Sequence, residues 1–137
     1  MRHALSINPE GDYAKSSLAT LQLLDGKATE ALATFQSIGL ESFRDSGVAI
    51  AQHMLRNTQA SQTALDTLIA QAATSGPYQI AEVYAWRGEK DLAFEWLERA
   101  YHLQDAVLQQ FKLDPLLASL YSDPRDAAMV KKLNLPP

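Results

Sequence analysis

Three histidines are the side chains of this sequence best suited to bind a metal ion. None of His3, His53 and His102 has a second His, Cys or carboxylate at a ligand spacing that also repeats elsewhere in the sequence. Protein metal sites combine several such ligands, so we expect no metal site, and we interpret His53 as a helix-surface or groove residue. The sequence contains no cysteine, which excludes disulfides and a thiol nucleophile.

Catalysis by side chains would need paired carboxylates or an activated hydroxyl group. Glu95 and Glu98 lie one helical turn apart, but Lys90 and Arg99 accompany them, which predicts a solvated face of ion pairs. The serines have no His partner that the sequence can place nearby, and there is neither a glycine-rich phosphate loop nor a G-x-S-x-G motif. We therefore predict that the protein is not an enzyme and uses no cofactor.

The composition is that of an ordinary soluble globular protein, with 137 residues, 47% of them apolar and 20% charged. The net charge is −4 and neither half has a basic excess, so a nucleic-acid partner is not expected. No segment approaches the roughly 20 apolar residues of a membrane span, and the N-terminus lacks the apolar stretch of a secretory signal. We predict a cytoplasmic protein that binds neither nucleic acid nor membrane.

Three segments, residues 18–35, 50–68 and 80–97, share a pattern of small and large apolar residues. Two Ala residues stand twelve or thirteen positions apart, and a large apolar residue follows the second Ala by four. Ala at helix crossings lets two antiparallel helices approach closely, and Gly in the turn supplies the positive φ that ends the first helix. The positions are Ala19, Gly26, Ala31 and Phe35, then Ala51, Ala64 and Leu68, and finally Ala81, Gly88, Ala93 and Leu97.

The third segment, with Ala81, Tyr84, Gly88, Ala93, Leu97 and Ala100, resembles the tetratricopeptide repeat, and Ala31 and Phe35 match its A-x3-F element literally. The resemblance implies an all-α fold, in which antiparallel helix-turn-helix repeats stack as a right-handed α-solenoid with C-terminal capping helices. It implies one domain over residues 1–137. The parts are a remnant of a preceding repeat (1–11), repeat 1 (12–40), a degenerate repeat 2 (41–75), repeat 3 (76–104) and the capping helices (105–137).

The predicted helices follow from this pattern and its turn signals, with the tail read from its Asp-Pro pairs. Asp114-Pro115 and Asp123-Pro124 each combine an N-cap side chain with a proline at the first helical position. Asn8-Pro9 is expected to close an earlier unit, so the chain is expected to be a fragment of a longer protein or to have a truncated first unit; a short unrelated helix is the alternative. We predict helices at 12–25, 28–38, 43–56, 60–73, 78–87, 90–103, 105–112, 115–121 and 124–133.

Residues 78–137 resemble the C-terminal repeat region of bacterial multidomain regulators, through the runs YQIAEVYAWRGEKDLAFEWLERAY, KLDPLLASLYSDPR and KKLNLPP. In those proteins the repeats follow a nucleotide cyclase, kinase or winged-helix domain. Asp126 departs from the resemblance, because such tails usually place an aromatic residue after Asp-Pro-Arg. The departure concerns the packing of the last helix.

The resemblance implies a concave groove lined by the first helix of each repeat, and a protein or peptide as partner. Trp86 is the strongest candidate anchor, since Trp, Tyr and Arg contribute most to binding energy; packing against a neighbouring helix is the alternative for it. An Asn and Lys clamp for chaperone tails is not expected, because Thr20, Gln52 and Glu82 stand at its positions. The groove residues are Tyr13, Ser17, Thr20, Leu24, Gln52, Arg56, Gln79, Glu82 and Trp86.

Our hypotheses about function therefore rest on the fold class, which is a weak indicator of function by itself. The first hypothesis is a regulatory or scaffolding module that binds a peptide or an adjacent domain. The alternatives are a segment for homo-oligomerisation, giving a homodimer, and a sensor of a small ligand within a larger regulator.

Overall fold

A computed structural model describes residues 9–133, and in this part of the chain every regular element is helical. The prediction of an all-α protein is thereby confirmed. The α-helices are α1 (Pro9–Leu24), α2 (Ala28–Gln36), α3 (Glu41–Met54), α4 (Thr58–Ala72), α5 (Pro77–Trp86), α6 (Lys90–His102) and α7 (Pro124–Lys132). Two 3₁₀-helices, η1 (Ala106–Leu113) and η2 (Pro115–Leu120), lie between α6 and α7.

Each predicted helical segment overlaps an observed helix, with two differences. The segments that become η1 and η2 are 3₁₀-helices and not α-helices. Helix α1 begins at Pro9, where we had expected an earlier unit to close. Proline suits the first turn of a helix because its missing N–H would have no helical acceptor there. The rest of the predicted remnant of a preceding repeat, residues 1–8, lies outside the described residues.

The chain divides into two compact units, Met1–Gln71 and Ala72–Pro137. The first unit contains α1, α2, α3 and nearly all of α4. Within it α1 packs on α2, α2 packs on α3, and α1 also contacts α3. The second unit contains α5, α6, η1, η2 and α7, with α5 packed on α6 and on η2.

The turns after α1, α3 and α5 share one backbone conformation. In each, a residue of positive φ is followed by an N–H that donates to the carbonyl five residues earlier, at 2.8 to 2.9 Å. Gly26 and Gly88 occupy the positive-φ position as predicted, with φ of 77° and 81°. Arg56 occupies it after α3, with φ of 64°, although this conformation is strained for a residue with a side chain.

These turns correct the predicted pattern of the second segment. The residue seven positions before the positive-φ residue is a fully buried Ala in all three cases, and after α3 this residue is Ala49. Ser61 lies five positions after the positive-φ residue Arg56 and is 2% exposed, whereas Ala64, which the sequence pattern placed at the helix crossing, is half-buried. The Ser61 hydroxyl donates to the Ala49 carbonyl oxygen at 2.8 Å, which marks the point where α3 and α4 meet. The second segment therefore follows Ala49, Ser61 and Leu65, with the same spacing of twelve as the other two.

Gly47 allows α2 and α3 to approach more closely than a side chain would permit. It lies inside α3, is buried, and faces the ring of Phe35 on α2. A Cβ at this position would overlap the ring of Phe35, which is itself buried. Glycine costs about 1 kcal/mol relative to Ala inside a helix, and here the close contact offsets that cost.

Aspartates begin the last three helices of the second unit. Side chains of Asp105, Asp114 and Asp123 accept hydrogen bonds from backbone N–H groups two residues on, at 3.1, 2.9 and 2.9 Å. The N-caps predicted at Asp114 and Asp123 are therefore confirmed. Tyr78, Phe111, Leu117 and Leu120 are fully buried and form much of the core of this unit.

Candidate functional site

Four predicted groove residues lie on α1 at spacings of four, three and four, so they share one helix face. Tyr13 is 53% exposed and meets Phe43 of α3 edge-to-face, with ring centroids 5.4 Å apart. Ser17 and Leu24 are exposed, while Thr20 is half-buried and donates its hydroxyl proton to the Ser16 carbonyl at 2.9 Å. This part of the predicted groove is accessible to a partner.

The two predicted residues from α3 have local roles. The Gln52 side-chain oxygen accepts a hydrogen bond from Asn57 Nδ2 at 2.8 Å across the following turn. Arg56 lies beyond the end of α3, at the positive-φ position of that turn. Its side chain is exposed, but it does not lie on the helix face on which the sequence pattern placed it.

The three predicted residues from α5 belong to the second unit. Gln79 is 4% exposed, so its side chain is not offered to solvent. Glu82 is partly buried and forms a hydrogen bond with the Asp114 side chain. Trp86 is the last residue of α5 and is half-buried. Of these three, only Trp86 has the accessible apolar surface that a partner could cover.

Among the described residues of the first unit, the most accessible apolar surface follows α1. Tyr13, Leu18, Leu21 and Leu24 are 53%, 51%, 63% and 50% exposed, and we call this surface the outer face of α1. The opposite side of the same helix carries Ala19 and Leu23, which are buried. Leu18 and Leu21 were missed by the sequence analysis, although the presence of two apolar stripes on one helix was a signal that could have identified them.

The register of the turns shows how unusual this surface is. Counted from the positive-φ residues, Leu21 is equivalent to Ala51 on α3 and to Val83 on α5, both of which are fully buried. Ser17 is equivalent to Gly47, which α2 covers through Phe35. The outer face of α1 is therefore the counterpart of a face that another helix covers on α3.

An acidic cluster joins α5 to the N-termini of η1 and η2 in the second unit. The Tyr78 hydroxyl donates to Asp114 Oδ2 at 2.6 Å, and Asp114 Oδ1 caps η2. Burial, the hydrogen bond with Asp114 and the charges of Asp114 and Asp105 together raise the pKa of Glu82 well above its usual value. Burial, with the nearby charges of Glu82 and Asp114, also raises the pKa of Tyr78. The cluster ties the tail to α5 and favours the protonated form of Glu82.

A shallow cleft of about 280 Å³ lies between α6 and α7. Arg125 pairs with Asp91 at 2.9 Å, and Lys132 pairs with Glu98 at 2.7 Å. The predicted ion-pair face on α6 is present, and its partners include residues of α7. Both cations that line the cleft are therefore already paired with carboxylates of α6.

The described residues contain no group of three or more His, Asp or Glu side chains that could hold a metal ion. No helix among them is sufficiently long and apolar to cross a membrane. The outer face of α1 offers exposed apolar side chains.

Comparisons with protein-family models, with curated proteins and with solved structures gave no match to this chain.

Proposed function

We propose that this protein is a protein-interaction module that binds a helical segment of its partner on the outer face of α1. The observation that supports this proposal is the exposure of Leu18, Leu21 and Leu24 on a helix whose opposite side is already packed. Contiguous exposed apolar surface on a soluble domain usually marks a binding site.

The accessible groove residues fit the same proposal. Tyr13 lies on the outer face, Ser17 and Thr20 lie beside it, and Leu24 extends it toward the turn. In the second unit, Trp86 would contribute a separate contact. A tetratricopeptide-like right-handed solenoid in a cytoplasmic bacterial regulator remains our hypothesis for the setting, carried by the sequence pattern.

The binding energy that Leu21 should contribute follows from the exposed fraction of its side chain. Fully burying a Leu side chain stabilises by about 1.5–3 kcal/mol. Leu21 is 63% exposed. Covering this exposed part with a partner would contribute about 1–2 kcal/mol to binding, or roughly a 5- to 30-fold change in affinity.

The test is the binding of a labelled amphipathic peptide of about 20 residues, helical and with leucines along one face, measured by fluorescence anisotropy. Leu21→Gln should weaken binding by roughly 5- to 30-fold. Leu113→Gln is a matched control, because Leu113 is 86% exposed and belongs to η1 of the second unit and not to the outer face of α1, and it should leave binding unchanged. Trp86→Ala measures the contribution of the second unit.

If the peptide shows no saturable binding up to about 1 mM, the proposal is contradicted. A dissociation constant of about 1 mM corresponds to a binding free energy of only about 4 kcal/mol. Equal losses in Leu21→Gln and Leu113→Gln would also contradict it, because they would indicate non-specific apolar adhesion.

A further inference from the structure

A carboxylate side chain lies at each end of the apolar outer face of α1. Glu10 and Asp25 are both exposed, and they are 15 positions apart in the sequence. At about 100° per residue they lie on the same side of the helix as Leu21, and at about 1.5 Å per residue they are roughly 22 Å apart. A helix lying along α1 would therefore meet an acidic group at each end of the leucine stripe.

No described residue forms an ion pair with either carboxylate. The nearest cation on α1, Lys15, lies on another side of the helix and donates its Nζ proton to the Ser37 carbonyl oxygen at 3.2 Å. Lys27 lies beyond the turn, at the N-cap of α2. The outer face thus combines an apolar centre with a carboxylate at each end that has no ion-pair partner among the described residues.

We propose, on the basis of the proposed function, that the partner is an amphipathic helix whose apolar stripe is flanked by Lys or Arg residues and which lies along the outer face of α1. Ser17 stands at the position equivalent to Gly47, but its Cβ excludes a contact as close as the one that Phe35 makes with Gly47, so the partner helix would lie farther from α1 than α2 lies from α3. Cations at the two ends of the stripe would meet Glu10 and Asp25 and fix the position of the helix.

A second copy of the chain is a poorer occupant of this face. Two outer faces brought together would place the acidic ends of one copy beside those of the other, or beside its apolar centre. Like charges at close range oppose association, and the net charge of −4 adds to that repulsion.

The experiment compares two versions of the amphipathic peptide, identical in their leucine face, with Lys or with Glu at both ends of that face. We expect the Lys-ended peptide to bind the wild-type protein about tenfold more tightly at low salt, and this preference to shrink as salt is raised above about 0.1 M. The charge-reversed variant Glu10→Lys/Asp25→Lys should prefer the Glu-ended peptide. The neutral variant Glu10→Gln/Asp25→Asn should show no preference, and it provides the same test if the reversed variant is poorly folded.

Equal binding of both peptides to the wild-type protein would overturn this inference and leave the proposed function intact. A preference for Lys ends that persists in the neutral variant would also overturn it, since the charges would then act elsewhere. A doubling of mass in sedimentation equilibrium that Leu21→Gln abolishes would identify a second copy as the occupant. Failure of both peptides to bind would contradict the proposed function itself.

Discussion

Gly47→Ala should destabilise the protein, although the same substitution stabilises most helices. Gly47 lies inside α3, and a Cβ there would overlap the ring of Phe35 on α2. Ala is favoured over Gly in a helix by about 1 kcal/mol. The outcome depends on whether the packing cost exceeds that gain.

The packing cost has an upper limit set by Phe35. If the ring cannot shift within the core, it must leave its site, and the loss then approaches that of a Phe→Ala substitution, about 3–5 kcal/mol. Phe35 is only 3% exposed, so its surroundings leave little room for a small adjustment. After the helix gain of about 1 kcal/mol is subtracted, we expect Gly47→Ala to lower the free energy of unfolding by about 2–4 kcal/mol.

Urea unfolding followed by circular dichroism measures this change, and a double-mutant cycle with Phe35→Ala isolates its cause. Once the ring is removed, Gly47→Ala should become neutral or stabilising by up to about 1 kcal/mol. A loss of the same size in both backgrounds would refute the reasoning, because the cost would then come from a neighbour other than Phe35. A stabilised Gly47→Ala variant in the wild-type background would show that α2 and α3 are not in close contact at this position.

Asp12→Ala should lower the free energy of unfolding by about 2–4 kcal/mol. The buried Asp12 carboxylate accepts hydrogen bonds from the backbone N–H groups of Gly39 and Leu40, just before α3, at 3.2 and 3.1 Å. A loss below about 1 kcal/mol in urea unfolding would contradict this prediction. Glu82→Gln should remove a pH dependence of the free energy of unfolding. Because the pKa of Glu82 is raised in the folded state, the folded protein retains a proton that the unfolded chain loses. The stability that this proton contributes is complete below the ordinary pKa of 4.5 and is lost as pH rises through the folded-state pKa. The variant should therefore gain stability relative to wild type as pH rises above about 4.5, and parallel stability curves would refute the assignment. Asp45 and Asp126, whose pKa values burial also raises, contribute a residual slope of the same sign.

The helices were largely predictable because their signals are local. The turn at Gly26 and the N-cap at Asp114 each depend on the residue type at one position, and the structure has them where they were predicted. The second segment was misaligned because a buried Ser can replace Ala at a helix crossing when its hydroxyl finds an acceptor. Ser61 does so with the Ala49 carbonyl, and an Ala pattern alone passes over it.

Contacts between distant residues were not predictable in this way. The bond from Tyr78 to Asp114 joins residues 36 positions apart, and it depends on how the tail returns to α5. Asp126, which the resemblance identified as a departure, is 4% exposed and has one carboxylate oxygen without a hydrogen-bond partner. A polar residue has been accommodated where the tail was expected to bury an aromatic one, and burial raises its pKa.

The leucines of α1 show why exposure must be known before binding can be argued. The sequence pattern placed Leu24 in the groove and left Leu18 and Leu21 unassigned, and the burial of Ala19 and Leu23 on the opposite side of α1 shows that all three leucines are on its exposed side. If these leucines served folding alone, Leu21→Gln would destabilise the protein, whereas a side chain that is 63% exposed has little burial to lose. Their retention on the surface is therefore better explained by a partner that covers them than by the stability of this chain.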